Sequence, residues 1–161
     1  MAHWKKRETL FSQYGFEVTL PGHWQSRESG DADRWIYRSA DRKEQLTLSR
    51  GESIGAEDEP ARQRVIVRQR RAIELGFDRL PDLHLSEPEL LEHSGVVAAR
   101  FEGSADQERL VFSSLLLFEQ ESVWTLFHEA LKLQPEEAHR RAGEIFLTAR
   151  FPAPTFRVRR R

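Results

Sequence analysis

The sequence predicts an α+β fold in which an antiparallel sheet is covered by helices, with the element order β-β-β-α-β-β-β-β-α. The first observation is the stretch 96–131, where three apolar segments, 96–102, 108–119 and 122–130, are separated by short polar breaks. Short connections between neighbouring strands are typical of antiparallel hairpins. The second observation is that two other segments repeat their apolar residues with the period of a helix.

Three strands are predicted before the first helix. Residues 14–20 alternate apolar and polar side chains, which favours a half-buried strand ended by the following Pro-Gly. Residues 34–40 and 44–50 form a predicted hairpin about the polar pair between them. Leu46 and Leu48 mark the buried face of its second strand.

Both predicted helices begin at a proline preceded or followed by acidic residues, a composition that suits the first turn. The first helix runs from Asp58 to about Leu75, and Gly76 is its expected C-cap. Its apolar stripe is Val65, Ile66, Ala72 and Ile73. The second helix starts at 134–137, and its stripe is Ala138, Ala142, Ile145 and Ala149, with Phe146 beside it.

The strands after the first helix are predicted to form the centre of the sheet. Residues 83–93 are extended but interrupted at Pro88, which suits an edge. The segment 103–106 is read as a turn. The middle strand carries apolar residues on both faces, Leu110, Phe112, Leu116 and Phe118 on one and Val111, Leu115 and Leu117 on the other. Both faces must therefore be covered, by the chain's own helices or by a partner.

The length and composition predict a single domain, 1–161, with an ordered core at about 14–152. The N-terminal segment 1–13 and the basic tail 155–161 are expected to be flexible. The net charge of −1 gives no field that favours nucleic acid, and no apolar run predicts membrane insertion. With 0 cysteines and no long apolar segment after the first basic residues, a cytoplasmic protein is expected, unless a signal peptide was removed.

The chain resembles the superfamily that includes the photosystem II PsbP protein, the Ran-binding Mog proteins and bacterial DcrB-like proteins. The residues that carry the resemblance are those of 15–24, above all Leu20, Pro21, Gly22 and Trp24, followed by the strand 45–49 and the order of the later elements. The resemblance covers roughly 14–152. It implies an α/β/α sandwich and a role in binding other proteins. One similar cytoplasmic branch, the Eag-type chaperones of type VI secretion, holds apolar segments of secreted effectors.

No catalytic residues, metal site or cofactor are predicted. The histidines lack the spacings of metal ligands, although His93 and His128 could meet across strands. Carboxylates are abundant enough in the strand region that pairs arise by chance. Ser113-Ser114 lies in a strand without the turn of a serine nucleophile. A small-ligand or hydrolytic site near the two histidines is the least favoured alternative.

The leading hypothesis is a non-enzymatic chaperone or adaptor that binds another protein, such as a secreted effector, through an apolar sheet face. The predicted binding residues are Trp35, Val111, Leu115, Leu117, Val123 and Phe127, or the set on the opposite face. Arg64, Arg68 and Arg71 form a possible basic patch for an acidic partner. The alternatives are an immunity or regulatory protein that binds a soluble partner through charged loops, and homodimerisation through the same face.

Overall fold

The computed structural model of the protein describes residues 6–52, 58–120 and 122–152. Ten strands and two helices follow one another in chain order within these ranges. They are β1 (Lys6–Phe11), β2 (Phe16–Pro21), β3 (Gln25–Arg27), β4 (Arg34–Arg38), β5 (Glu44–Glu52), α1 (Glu59–Gly76), β6 (His84–Leu85), β7 (Glu89–His93), β8 (Val96–Ala105), β9 (Leu110–Phe118), β10 (Ser122–Leu131) and α2 (Pro135–Thr148).

Eight of the strands form one antiparallel sheet in the order β3-β4-β5-β10-β9-β8-β6, with β7 pairing to the other end of β8. The predicted α+β class and antiparallel sheet are confirmed. Strands β6 and β7 take the place of the single interrupted strand predicted at 83–93, and Pro88 lies in the break between them. Strands β1 and β2 form a separate two-stranded sheet.

The large sheet has two buried faces because its central strands are apolar on both sides. On one face, α2 and the β1–β2 hairpin pack against the sheet and bury residues such as Phe16, Trp124 and Phe146. On the other face, Ile66 and Ile73 of α1 pack against β8, β9 and β10. The chain's own helices and hairpin therefore supply the cover expected over both faces of the central strands β8, β9 and β10, and the predicted α/β/α arrangement follows.

The helices begin and end close to the predicted positions. Asp58 is the N-cap of α1, and its carboxylate accepts a hydrogen bond from the Ala61 amide at 3.2 Å. The helix includes Gly76, and Phe77 rather than the glycine is its C-cap. In α2, the predicted stripe of Ala138, Ala142 and Ile145 is buried.

Three parts of the fold differ from the prediction. Residues 6–11, for which no strand was predicted, form β1, which pairs with β2 along its whole length. The short strand β3 lies in a segment expected to be a loop. The β8 strand continues through Gly103 to Ala105, where a turn was predicted. The position needs glycine because a Cβ there would collide with the His84 carbonyl and the Phe112 ring. The tail 155–161 lies outside the described residues.

Candidate functional site

On the side where α1 packs, no described element covers the half of the sheet formed by β3, β4 and β5. The core beneath α1 contains no described residue of β3, β4 or β5. Strand pairing places a row of mostly polar side chains on this area, which we call the shelf. Its residues are Gln25, Arg27, Arg34, Ile36, Arg38, Gln45, Thr47 and Ser49.

The shelf is cationic and has a small apolar centre. Arg27 and Arg34 are exposed, Arg38 is partly buried, and none of the three forms a salt bridge within residues 6–52, 58–120 and 122–152. Ile36 is partly buried and belongs to neither core. Phe127 borders the shelf, with its ring 5.6 Å from that of Phe112 in the core beneath α1.

Gln45 organises the polar part of the shelf. Its side-chain oxygen accepts hydrogen bonds from Arg27 Nη1 at 3.3 Å and from Arg38 Nη2 at 3.1 Å. Its amide nitrogen donates to Glu129 Oε2 at 3.2 Å. Since a carboxylate accepts and guanidinium groups donate, only this orientation of the amide satisfies all three contacts. Burial raises the pKa of Glu129, while the Gln45 hydrogen bond and the Arg38 charge oppose the rise.

Two clefts lie at opposite ends of the shelf. One, of about 330 Å³, lies at the turn between β3 and β4. It is lined by the loop from Glu28 to Asp31 and by residues from both faces of the two strands, namely Arg27, Arg34 and Ile36 of the shelf and Ser26, Trp35 and Tyr37 of the other face. The other, of about 280 Å³, is lined by Arg38, Gln45 and Glu129 with neighbouring residues of β5, β9 and β10. The shelf is therefore accessible from both ends.

A separate polar cluster lies on the opposite face, beneath α2. The Glu44 carboxylate is 3.1 Å from His128 Nε2 and 2.7 Å from Arg141 Nη1. Both Glu44 and His128 are buried, and the Trp24 ring stacks beside His128 at 6.2 Å. A buried carboxylate held by two hydrogen-bond donors fastens α2 to the sheet.

His139 brings a serine and a carboxylate together without forming a catalytic triad. Ser113 Oγ is 3.0 Å and Glu102 Oε2 is 2.6 Å from the same ring nitrogen, Nδ1. A triad needs the hydroxyl and the carboxylate on different ring nitrogens, and Ser113 is only 1% exposed. Burial lowers the pKa of His139, Glu102 opposes the shift, and Arg100 and His128 add to it. The contact is best explained as a structural one.

Four of the predicted binding residues lie in the interior. Val111, Leu115, Leu117 and Val123 are between 0% and 5% exposed. They also lie on different faces of the sheet. Leu115 and Leu117 face α2, and Val111 packs with Ala138 of α2, whereas Val123, paired with Phe118, faces α1. A partner cannot reach them in this structure, so we treat them as core residues.

The other predicted binding residues are at the edge of the core or on the surface. Trp35 is partly buried, with its ring 4.7 Å from Phe11 and stacked 5.9 Å from Trp124, so it packs with aromatic residues instead of forming an open anchor. Phe127 is partly buried beside the shelf. The predicted patch of Arg64, Arg68 and Arg71 is exposed on the outer face of α1.

The two histidines expected to meet do not. His93 lies on β7, with its Nε2 2.7 Å from the Ala149 carbonyl oxygen, and β8 and β9 separate it from His128 on β10. Across the described ranges, no cluster of three or more His, Asp or Glu side chains is arranged to hold a metal ion. The same residues include no helix with the length and apolarity to cross a membrane.

The shelf residues were missed because each resembles an ordinary surface residue in the sequence. The signal that could have found them is alternation within the strands. In β4, every second residue from Arg34 to Arg38 lies on the less buried face. In β5, polar residues alternate in the same way with Leu46 and Leu48. This alternation indicates a solvated face. It does not reveal that Arg27 joins the same face, since β3 has no pattern of its own.

Comparisons with known proteins identify the fold. No protein-family model and no curated protein matches the chain. The chain is similar to the solved structure of cyanobacterial PsbP (CyanoP) from Synechocystis sp. PCC 6803, with 12% identity, a TM-score of 0.77, and coverage of 94% of this chain and 95% of that one.

Two other solved structures match over nearly their whole length. Protein PA94 of Pseudomonas aeruginosa is 15% identical with a TM-score of 0.48, and covers 96% of this chain and 100% of that one. LpqN of Mycobacterium tuberculosis, described as involved in cell envelope biogenesis, is 14% identical with a TM-score of 0.49, and covers 92% and 91%. The likeness to CyanoP shows that this chain has a PsbP-like fold, as the resemblance implied. The Eag-type branch stays a prediction.

Proposed function

We propose that the chain is a non-enzymatic protein-binding module whose shelf binds an acidic surface on a soluble partner. The observation that carries the proposal is the half of the sheet that no described element covers. Three arginines that form no salt bridge with any described residue surround Ile36 there. Arginine is enriched in protein interfaces, and a small apolar centre within a polar rim is their usual anatomy. Of the alternatives given in the sequence analysis, this proposal corresponds to a regulatory or immunity protein that binds a soluble partner through charged groups.

The rest of the chain supports binding over catalysis. The contact of Ser113 and Glu102 with His139 has the wrong geometry for a nucleophile, and the serine is buried. The shelf offers arginines and an amide, groups that hold a partner's carboxylates. The neighbouring Glu129 carboxylate is partly buried and accepts a hydrogen bond from the Gln45 amide. A shared fold does not determine function, so the proposal rests on the shelf itself.

The test is affinity capture from native cells with two matched variants. Arg34→Glu/Arg38→Glu reverses two charges on the shelf, and Arg64→Glu/Arg68→Glu reverses two on the outer face of α1. We expect the shelf variant to lose the partner and the α1 variant to retain it. We also expect capture to weaken as salt rises, because the interface is charged. Loss of the partner only with the α1 variant would disprove the proposal.

A chaperone for apolar segments is the second candidate, and one feature favours it. Leu20, Pro21, Ile145 and Leu147 line an apolar groove of about 320 Å³ between β2 and α2, and Leu147 is 80% exposed. This candidate predicts a partner with long apolar segments and capture that is insensitive to salt. Replacing Leu147 with Glu would then abolish capture, whereas the shelf variant would not.

A further inference from the structure

Two guanidinium groups of the shelf converge on one neutral atom. Arg27 Nη1 and Arg38 Nη2 both donate to the Gln45 side-chain oxygen, at 3.3 and 3.1 Å. The two positive groups therefore lie only a few ångströms apart. Like charges so close repel each other, and an anion bound between or beside them offsets that repulsion.

The compensation from described carboxylates is partial, because Glu129 interacts with the Arg38 charge without forming a salt bridge. Neither arginine forms a salt bridge with any described residue, and the carboxylate of Glu129 is held on the far side of the Gln45 amide. Each guanidinium has five N–H donors in a planar fork, and each uses one of its terminal nitrogens on Gln45. Several donors of each arginine are left for a ligand.

We propose that Arg27 and Arg38 form a clamp for a phosphate monoester, carried on a phosphorylated side chain of the partner. The inference rests on the proposed function and names the group that the shelf recognises. A phosphate monoester carries close to two negative charges and three acceptor oxygens, which match two converging forks better than a single carboxylate does. Gln45 fixes the spacing of the two arginines and is itself fixed by Glu129.

The position of the clamp allows a ligand to reach it. The cleft of about 330 Å³ borders Arg27, and the cleft of about 280 Å³ borders Arg38 and Gln45. A phosphorylated side chain can enter from either end while the segments around it lie along the shelf, against Ile36 and Thr47. Recognition of phosphorylated motifs by clustered arginines is a known mode of peptide binding.

The test uses a short phosphoserine peptide, its unphosphorylated form, inorganic phosphate and acetate, each titrated into the full chain by calorimetry. We expect the phosphoserine peptide to bind at least about tenfold more tightly than the unphosphorylated peptide or acetate. Arg27→Gln/Arg38→Gln should abolish this difference. The matched control Arg64→Gln/Arg68→Gln removes the same charge and should change the affinity by less than about twofold. Thermal unfolding of each variant confirms that the fold is retained.

Equal losses in the two double variants would overturn the clamp, since the effect would then come from overall charge. Equal affinity for both peptides would overturn it as well. Inorganic phosphate binding as tightly as the peptide would overturn the assignment to a partner's side chain. If the peptides fail while the shelf variant Arg34→Glu/Arg38→Glu still loses the cellular partner, the proposed function stands and only the clamp is wrong.

Discussion

Glu44 and Arg141 form an ion pair that joins strand β5 to helix α2, with 2.7 Å between Oε2 and Nη1. The Glu44 side chain is only 2% exposed, and its second oxygen faces His128, so the carboxylate is buried between two donors. Removing one partner of a buried pair leaves an uncompensated charge, which costs more than the pair itself contributes. A single substitution at Arg141 should therefore weaken the packing of α2 against the sheet and lower the free energy of unfolding.

We expect Arg141→Met to lower the free energy of unfolding by about 3–5 kcal/mol, because Glu44 stays buried without its main cation. The control is Arg140→Met, one residue earlier, where the side chain is 56% exposed and pairs with Glu137 and Glu144. That change should cost less than about 1 kcal/mol. Urea unfolding followed by circular dichroism measures both. Similar losses in the two variants would contradict a special role for the buried pair.

Gly103 is expected to tolerate no side chain. A Cβ there would meet the His84 carbonyl oxygen and the Phe112 ring, so Gly103→Ala should lower the free energy of unfolding by about 1–3 kcal/mol. Gly76 is the matched control, since nothing lies within 4 Å of its would-be Cβ and it ends α1. Gly76→Ala should be neutral or slightly stabilising. If both substitutions shifted the midpoint of thermal unfolding in the same direction, the close contacts around Gly103 would not be the reason that it is a glycine.

The turn between β8 and β9 places three successive non-glycine residues, Asp106, Gln107 and Glu108, at positive φ. Left-handed backbone costs an L-residue roughly 1–2 kcal/mol, and glycine avoids that cost. Glu108→Gly should therefore raise the midpoint of thermal unfolding. Glu74→Gly, an equal change of charge inside α1, should lower it. A lower midpoint for Glu108→Gly would mean that its side chain contributes more than the backbone conformation costs.

The raised pKa of Glu129, which accepts a hydrogen bond from the shelf residue Gln45, predicts how this carboxyl affects stability. The folded state holds this proton more tightly than the unfolded chain does, so the associated stability is lost as pH rises from the ordinary pKa of 4.5 through the raised pKa. Glu129→Gln should thus raise the free energy of unfolding at pH 7 and have little effect below pH about 4. Its amide oxygen can still accept from Gln45. Exposed Glu92→Gln is the control, and an equal gain there would contradict the assignment.

The spacing of apolar residues predicted most of the fold, because an element with a large buried face needs apolar residues at the period of a strand or a helix. The alternation of Phe16, Val18 and Leu20 and the stripe of α2 are all buried as expected. Strand β1 was missed because its six residues are mostly polar and are ordered by pairing with β2. Gly103 was read as a turn residue because the sequence does not show that it faces a neighbouring carbonyl.

The site was harder to predict because it depends on register between distant strands. Gln45 and Glu129 form a hydrogen bond although they are 84 positions apart in the sequence. Arg27 on β3 forms a hydrogen bond with Gln45 on β5, and β4 lies between the two strands. The predicted binding set combined Leu115 with Phe127, which lie on opposite faces, since a shift of one residue in register exchanges the faces of a strand. Alternation within one strand shows which residues share a face. It does not show which face of the neighbouring strand lies on the same side of the sheet.

Site-specific photo-crosslinking in native cells tests the central claim most directly. A photoreactive residue is placed at Thr47 on the shelf and, in separate variants, at Val67 on the outer face of α1 and at Leu147 in the apolar groove. The last two are 63% and 80% exposed, so both can report contact with a partner. We predict a discrete crosslinked partner from Thr47 alone. Crosslinks only from Val67 or Leu147, or from Thr47 only to a second copy of this chain, would contradict the assignment of the shelf as the partner-binding site.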